Sequence, residues 1–176
     1  MHCKLVLGLA IALTLTSCAA IRRAFEDPSV KPTPVVNCQG QGTRANTCHP
    51  GPGGMTICRV TVREQAGAAP IVEPFELVTP GPRPGVTIPS TIIVWQIVGG
   101  GKFRDAGDGA LIQSPGNEFS GRGPADMNGS ALSGESPHSR ILFLNSQLGD
   151  YKYSLKYRDR SGREVVCDPK INNAGG

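Results

Sequence analysis

The sequence predicts an all-β fold: a small immunoglobulin-like antiparallel β-sandwich with one long glycine-rich loop, preceded by an apolar leader and a flexible tether. Three observations carry this. Glycine and proline number 23 and 15 among 176 residues, with no collagen-like period. Aromatic residues are only 5% of the chain. Beyond the leader no segment shows helical periodicity, whereas short β-branched or alternating runs recur between turn residues. A helical bundle, a coiled coil and a multi-span membrane protein are thereby excluded. The length allows one domain and a tail.

The leader occupies residues 1–17. Met1 to Lys4 is a short basic start, and Leu5 to Leu15 is apolar except for Gly8 and Thr14. Eleven residues are too few for a bilayer core of about 30 Å, which needs about 20 residues, and fit a signal-peptide h-region. The leader then reads Leu15-Thr16-Ser17-Cys18. This resembles the lipobox of bacterial lipoproteins. The resemblance implies cleavage between Ser17 and Cys18, a diacylglycerol on the Cys18 thiol and acylation of the new amino terminus. It places the protein in the bacterial cell envelope, anchored to a membrane by lipid. Ala19, where retention at the inner membrane would call for Asp, implies the outer membrane. The alternative is a secreted protein cleaved near Ala19 or Ala20. Loss of the leader removes one lysine and leaves a mild basic excess, which argues against a nucleic-acid partner.

Residues 18–37 form the tether, from the lipidated Cys18 on. Its charged pairs and Pro28, Pro32 and Pro34 leave little apolar surface to offset the entropy of ordering. Fully extended, such a segment spans roughly 60 Å. Residues 38–55 follow as a glycine- and proline-rich loop stapled by cysteine. The domain proper is 56–173. Ile57, Arg59, Thr61 and Arg63 alternate with Cys58, Val60 and Val62, so Cys58 faces inward on a half-buried strand. Ile71 to Val78 is a second strand, interrupted by Pro74. Thr79 to Gly85 is a proline-marked loop. Thr91 to Val98 is the strongest strand, nearly continuously apolar, and predicts a central strand with the single Trp95 in the core.

Gly99 to Ser139 holds ten glycines and is the least regular stretch; Ala110-Leu111-Ile112 and Phe119 are expected as short strands or plugs. A loop of this length is either mobile or functional. Arg140 to Leu144 is the next strand. Tyr151, Tyr153, Leu155 and Tyr157 then alternate strictly with Lys152, Ser154, Lys156 and Arg158. Asp159-Arg160-Ser161-Gly162 is a hairpin turn, Glu164 to Cys167 the last strand, and Asp168 to Asn173 a terminal turn. The order of Ile93-Val94-Trp95-Gln96-Ile97, Leu111-Ile112, Phe119, Tyr151-Lys152-Tyr153-Ser154-Leu155 and Asp168-Pro169-Lys170-Ile171-Asn172 resembles an uncharacterised small immunoglobulin-like β-sandwich domain of exported bacterial proteins. That resemblance implies a fold and no catalytic residue.

Cys3 leaves with the leader and Cys18 takes the lipid, so Cys38, Cys48, Cys58 and Cys167 remain. An even number in an exported chain reads as two disulfides, with three connectivities. The expectation is Cys38–Cys48 and Cys58–Cys167, the second tying the first core strand to the last. The competing reading is a metal site of Cys38, Cys48, His49 and Cys58, whose spacing matches no familiar ligand pattern. There is no C-x-x-C for thiol redox chemistry or haem attachment.

Candidate chemistry is sparse. Gly99-Gly100-Gly101-Lys102 hints at a phosphate loop, but Phe103 stands where Ser or Thr must reach magnesium. Asp105 to Gly109 has too few alternating oxygens for calcium and reads as a turn. His138 between Ser136 and Ser139, with Asp126, is a weak hydrolase constellation lacking G-x-S-x-G. Asn128-Gly129-Ser130 is an incidental sequon, and the two histidines outside the leader make no blue-copper set. Lys152, Lys156 and Arg158 project from one side of a strand, with Arg160 and Arg163 at its turn. Such a row suits an anionic polymer or lipid phosphate, or simply keeps an edge soluble. The expectation is therefore a membrane-anchored envelope lipoprotein acting as a structural or interaction module. Its partners are the membrane through the lipid, and another envelope protein or an anionic surface polymer. No cofactor, no metal and no catalytic residue are assigned. The alternatives are a small-ligand or metal carrier and a hydrolase centred on His138.

Overall fold

A computed structural model describes residues 36–38, 43–82, 90–105, 107–113 and 115–174. The leader 1–17, Cys18, the tether to residue 35 and residues 83–89 lie outside the described residues; the start of the expected proline-marked loop, Thr79-Pro80, is the end of β6. The strands are β1 (Val36–Asn37), β2 (Arg44–Ala45), β3 (Cys48–Pro50), β4 (Thr56–Gln65), β5 (Ala68–Glu73), β6 (Glu76–Pro80), β7 (Thr91–Val98), β8 (Gly109–Ile112), β9 (Phe119–Ala125), β10 (His138–Phe143), β11 (Gly149–Arg158), β12 (Glu164–Cys167) and β13 (Lys170–Ala174). Among the described residues no helix is long and apolar enough to cross a membrane.

The chain forms the expected all-β sandwich of two packed sheets. The first is built on a long hairpin. β11 pairs with β12 through Leu155–Arg158 and with β13 through Gly149–Lys152, in one unbroken register. Asp168-Pro169 interrupts the partner strand, because proline has no N–H to give the ladder. The stretch expected as a terminal turn is therefore largely a strand. On its other edge β11 pairs with β8. β1 lies parallel to β12, and β6 lies parallel to β13 with β2 beyond it. In the second sheet β4 runs parallel to β7, β7 antiparallel to β10, and β10 antiparallel to the edge strand β9. β3 and β5 share the other edge of β4. The sheets are thus mixed where wholly antiparallel pairing was expected. A strand's side-chain pattern records which face is buried, not the direction of its neighbour.

Trp95, Tyr153, Tyr157, Phe103, Phe143 and Leu77 are fully buried between the sheets. Trp95 Nε1 donates to the Tyr153 hydroxyl at 2.9 Å, with the rings edge to face at 5.3 Å. β7 is buried on both faces, which explains its continuous apolar run. Ile93, Trp95 and Ile97 face the main core, while Ile92 and Val94 join Ile57 in a second cluster on the outer face. The turn at Asp126–Ser130 lies over that cluster. Gly129 has a φ of 81°, and a β-carbon there would stand 2.8 Å from Ile92 Cγ2.

The short strands expected at Ala110–Ile112 and Phe119 form as β8 and β9, and Phe103 in the same stretch exchanges backbone hydrogen bonds with Ser136 at 2.8 and 2.9 Å. Two further expectations are corrected. Ile71 to Val78 is two strands: β5 ends at Glu73, the chain bends at Pro74-Phe75, and β6 joins the opposite sheet. The cysteine pairing is also different. The bonds are Cys38–Cys167 and Cys48–Cys58, not Cys38–Cys48 and Cys58–Cys167. The cause is register. Cys48 and Cys58 stand directly opposite across the β3–β4 ladder, their Cα atoms 3.9 Å apart. Parallel pairing of β1 with β12 carries Cys38 alongside Val166 and next to Cys167.

Candidate functional site

The alternation of β11 turns Tyr153, Leu155 and Tyr157 inward and leaves Lys152, Lys156 and Arg158 outward. The hairpin turn follows as expected, closed by Gly162 N donating to Asp159 O at 2.8 Å. Burial works against the charge of Asp159. Hydrogen bonds from Ser161 and Arg163 outweigh it and hold this carboxyl down at about 2. The same turn places Glu164 across from Arg158. Glu164 accepts from Lys156 Nζ at 3.0 Å and Arg158 Nη2 at 3.2 Å, and the Lys156 hydrogen bond leads the lowering of its pKa. Arg163 Nε stands 2.9 Å from Asp159. Three of the five cations in the expected basic row therefore have carboxylate partners. Lys152 and Arg160 have none within 4 Å among the described residues. Exposed pairs of this kind contribute about 0–1 kcal/mol each. Their main effect here is to balance the charge of the row.

The glycine run Gly99-Gly100-Gly101 closes around a carboxylate, not a phosphate. Glu64, near the end of β4, accepts from Gly101 N at 3.2 Å. A β-carbon on Gly101 would lie 2.5 Å from Glu64 Oε1 and 2.8 Å from Arg158 O, so no larger residue fits. Burial raises the Glu64 pKa, opposed by the Gly101 amide. Beside it lies a cavity of about 390 Å3, walled also by Val36, Arg160 and Arg163.

Other candidates resolve into turns and ladders. Asp105 Oδ1 accepts from Gly107 N at 2.6 Å, and Asp108 Oδ2 accepts from Arg104 N at 3.0 Å, an ordinary turn. Ser136 Oγ donates to Ala125 O at 2.6 Å and Ser139 Oγ donates to Gly123 O at 3.1 Å. Asp126 Oδ1 accepts from the amides of Asn128 and Ser130, both at 2.8 Å. His138 meets Ser136 only through its main chain, the His138 N–H donating to Ser136 Oγ at 3.0 Å, and among the described residues its buried Nε2 has no hydrogen-bond partner. Burial lowers the His138 pKa, helped by the Arg59 charge and opposed by Asp126. The thiols of the alternative metal set are taken by the two disulfides. Among the described residues no group of three His, Cys, Asp or Glu is placed to hold a metal ion.

Sequence reading passed over Arg104, Arg122 and Arg140. They lie far apart along the chain, yet line one cleft of about 330 Å3 beside the edge strand β9. No local pattern signals this, because the convergence depends on β9 and β10 being neighbours.

No family model matches the chain. No curated protein matches it either. Among solved structures, a chain from the cryo-electron microscopy structure of a heme-copper terminal oxidase dimer is similar over 97% of this chain and 98% of its own, at 16% identity and a TM-score of 0.29. A likeness at that score carries no argument about fold or function.

Proposed function

We propose that the chain is a lipid-anchored envelope lipoprotein whose β-sandwich acts as a structural or interaction module without catalysis, facing another envelope protein or an anionic surface polymer. The observation that carries this is the cysteine accounting around the lipobox. The four cysteines of the domain pair with one another. Once the leader with Cys3 is removed, Cys18 is the one thiol left to take a lipid. Structural disulfides belong to an oxidising compartment, as does an exported lipoprotein. Two or more acyl chains, each CH2 worth about 0.8 kcal/mol when buried, make a stable anchor.

Fractionation of bacteria expressing the full chain tests the anchor. The wild-type protein is expected in the membrane fraction, and Cys18→Ser is expected to move to the soluble or uncleaved precursor form. A mature Cys18→Ser chain that still sediments with membranes as the wild type does would contradict the reading.

A further inference from the structure

We propose that the cleft beside the edge strand β9 binds an oxyanion group, the phosphate or carboxylate of an anionic polymer. Three guanidinium groups line it, from the loop after β7 (Arg104), from β9 (Arg122) and from β10 (Arg140), against the single carboxylate of Asp105. Arg122 and Arg140 are half-buried, and neither has a carboxylate within 4 Å among the described residues. Arg140 Nη1 donates to Gly129 O at 2.7 Å. That bond uses one donor and orients the group, leaving the rest of its planar fork for a ligand. Arg104 stands 3.8 Å from Asp108, a buried carboxylate that its own amide already engages. Asp105 is occupied by the Gly107 amide.

The lining explains why an anion can come close. Gly121 and Gly123 put no side chain over the edge of the sheet, and Gly134 forms part of the opposite wall. β9 is the last strand of its sheet; Ala131–Leu132 bridges its end, Ala125 opposite Ala131 with Leu132 N donating to Pro124 O at 2.9 Å, and among the described residues the stretch before that has no strand partner on this side. Arg122 and Arg140, half-buried and without a carboxylate within 4 Å among the described residues, are poised for bidentate, charge-assisted hydrogen bonds to a phosphate or carboxylate. In the outer row of β11, by contrast, Lys156, Arg158 and Arg163 are already paired with Glu164 and Asp159. The proposal rests on the interaction-module reading for what presents the oxyanion, and not on the lipid. Probe binding and membrane release are therefore read separately.

Calorimetric titration of the purified mature chain in detergent, with inorganic pyrophosphate and with glucuronate, tests it. At least one probe is expected to saturate a single site, which tells phosphate from carboxylate as the preferred source. Arg122→Gln and Arg140→Gln are each expected to weaken binding about tenfold or more. Lys170→Gln, on an exposed position of β13, is expected to leave binding unchanged. Melting curves check the fold, and Arg122→Lys and Arg140→Lys, which keep the charge but lose the fork, replace any glutamine variant that unfolds and are also expected to weaken binding. Three results would each overturn the proposal. Neither probe saturates by roughly 10 mM; the arginine variants bind as the wild type does; or Lys170→Gln weakens binding as much as they do.

Discussion

Replacing Cys38 and Cys167 together by alanine is expected to destabilise the domain by about 2–5 kcal/mol, the largest loss of any cysteine pair. The bond spans a sequence separation of 129, so its removal frees most of the domain in the unfolded chain. It also holds a short element. β1 is two residues long and meets the sheet only through Val36 opposite Val165 and Asn37 opposite Val166, with Cys38 N donating to Val166 O at 3.2 Å. Cys48–Cys58 closes a separation of 10 and joins strands already paired, so Cys48→Ala with Cys58→Ala is expected to cost about 2–3 kcal/mol. Urea denaturation of the two double variants, followed by Trp95 fluorescence, ranks them. A larger loss for the Cys48/Cys58 variant would contradict the account. So would non-reducing peptide maps that join Cys38 to Cys48.

Trp95→Ala is expected to cost about 3–5 kcal/mol from the lost side chain and its cavity. It would cost about 1–3 kcal/mol more because the Tyr153 hydroxyl, fully buried, would lose its partner. The two effects are separable. Tyr153→Phe removes the hydroxyl and leaves the indole N–H without an acceptor while keeping the ring packing, so only the smaller cost is expected. Tyr153→Phe equal in effect to Trp95→Ala would show that the hydrogen bond, not packing, holds the centre of the sandwich. A loss below about 1 kcal/mol for Trp95→Ala would place the indole outside the core altogether.

What was legible in the sequence was local. The β-branched run at Thr91–Val98, the strict alternation at Tyr151–Arg158 and the Asp159–Gly162 turn all specify strands or a turn by their own residues, and each forms where expected. The hairpin even contains the reason its cations are balanced, since a turn at Asp159–Gly162 puts Glu164 opposite Arg158. What depends on neighbours distant in sequence was not legible. The parallel pairing of β4 with β7 leaves no trace in either strand's pattern. Cys48 and Cys58 become partners only when a three-residue strand folds back on β4. Phe103, placed after three glycines, reads as loop, yet it is fully buried, its ring centroid 6.1 Å from that of Tyr157. The β9 cleft is the same case, since Arg122 and Arg140 come to line it only through the pairing of β9 with β10, Arg140 standing opposite Gly123.

The central claim is a doubly stapled domain hung on a lipid at Cys18. Its most direct test is the intact mass of protein extracted from membranes, measured before and after reduction with thiol labelling. The account predicts the mass of Cys18 to Gly176 plus diacylglycerol and an amide-linked acyl chain, with no thiol labelled before reduction and four labelled after it. A lipid-free mass would contradict the anchor, and thiols that label without reduction would contradict the staples.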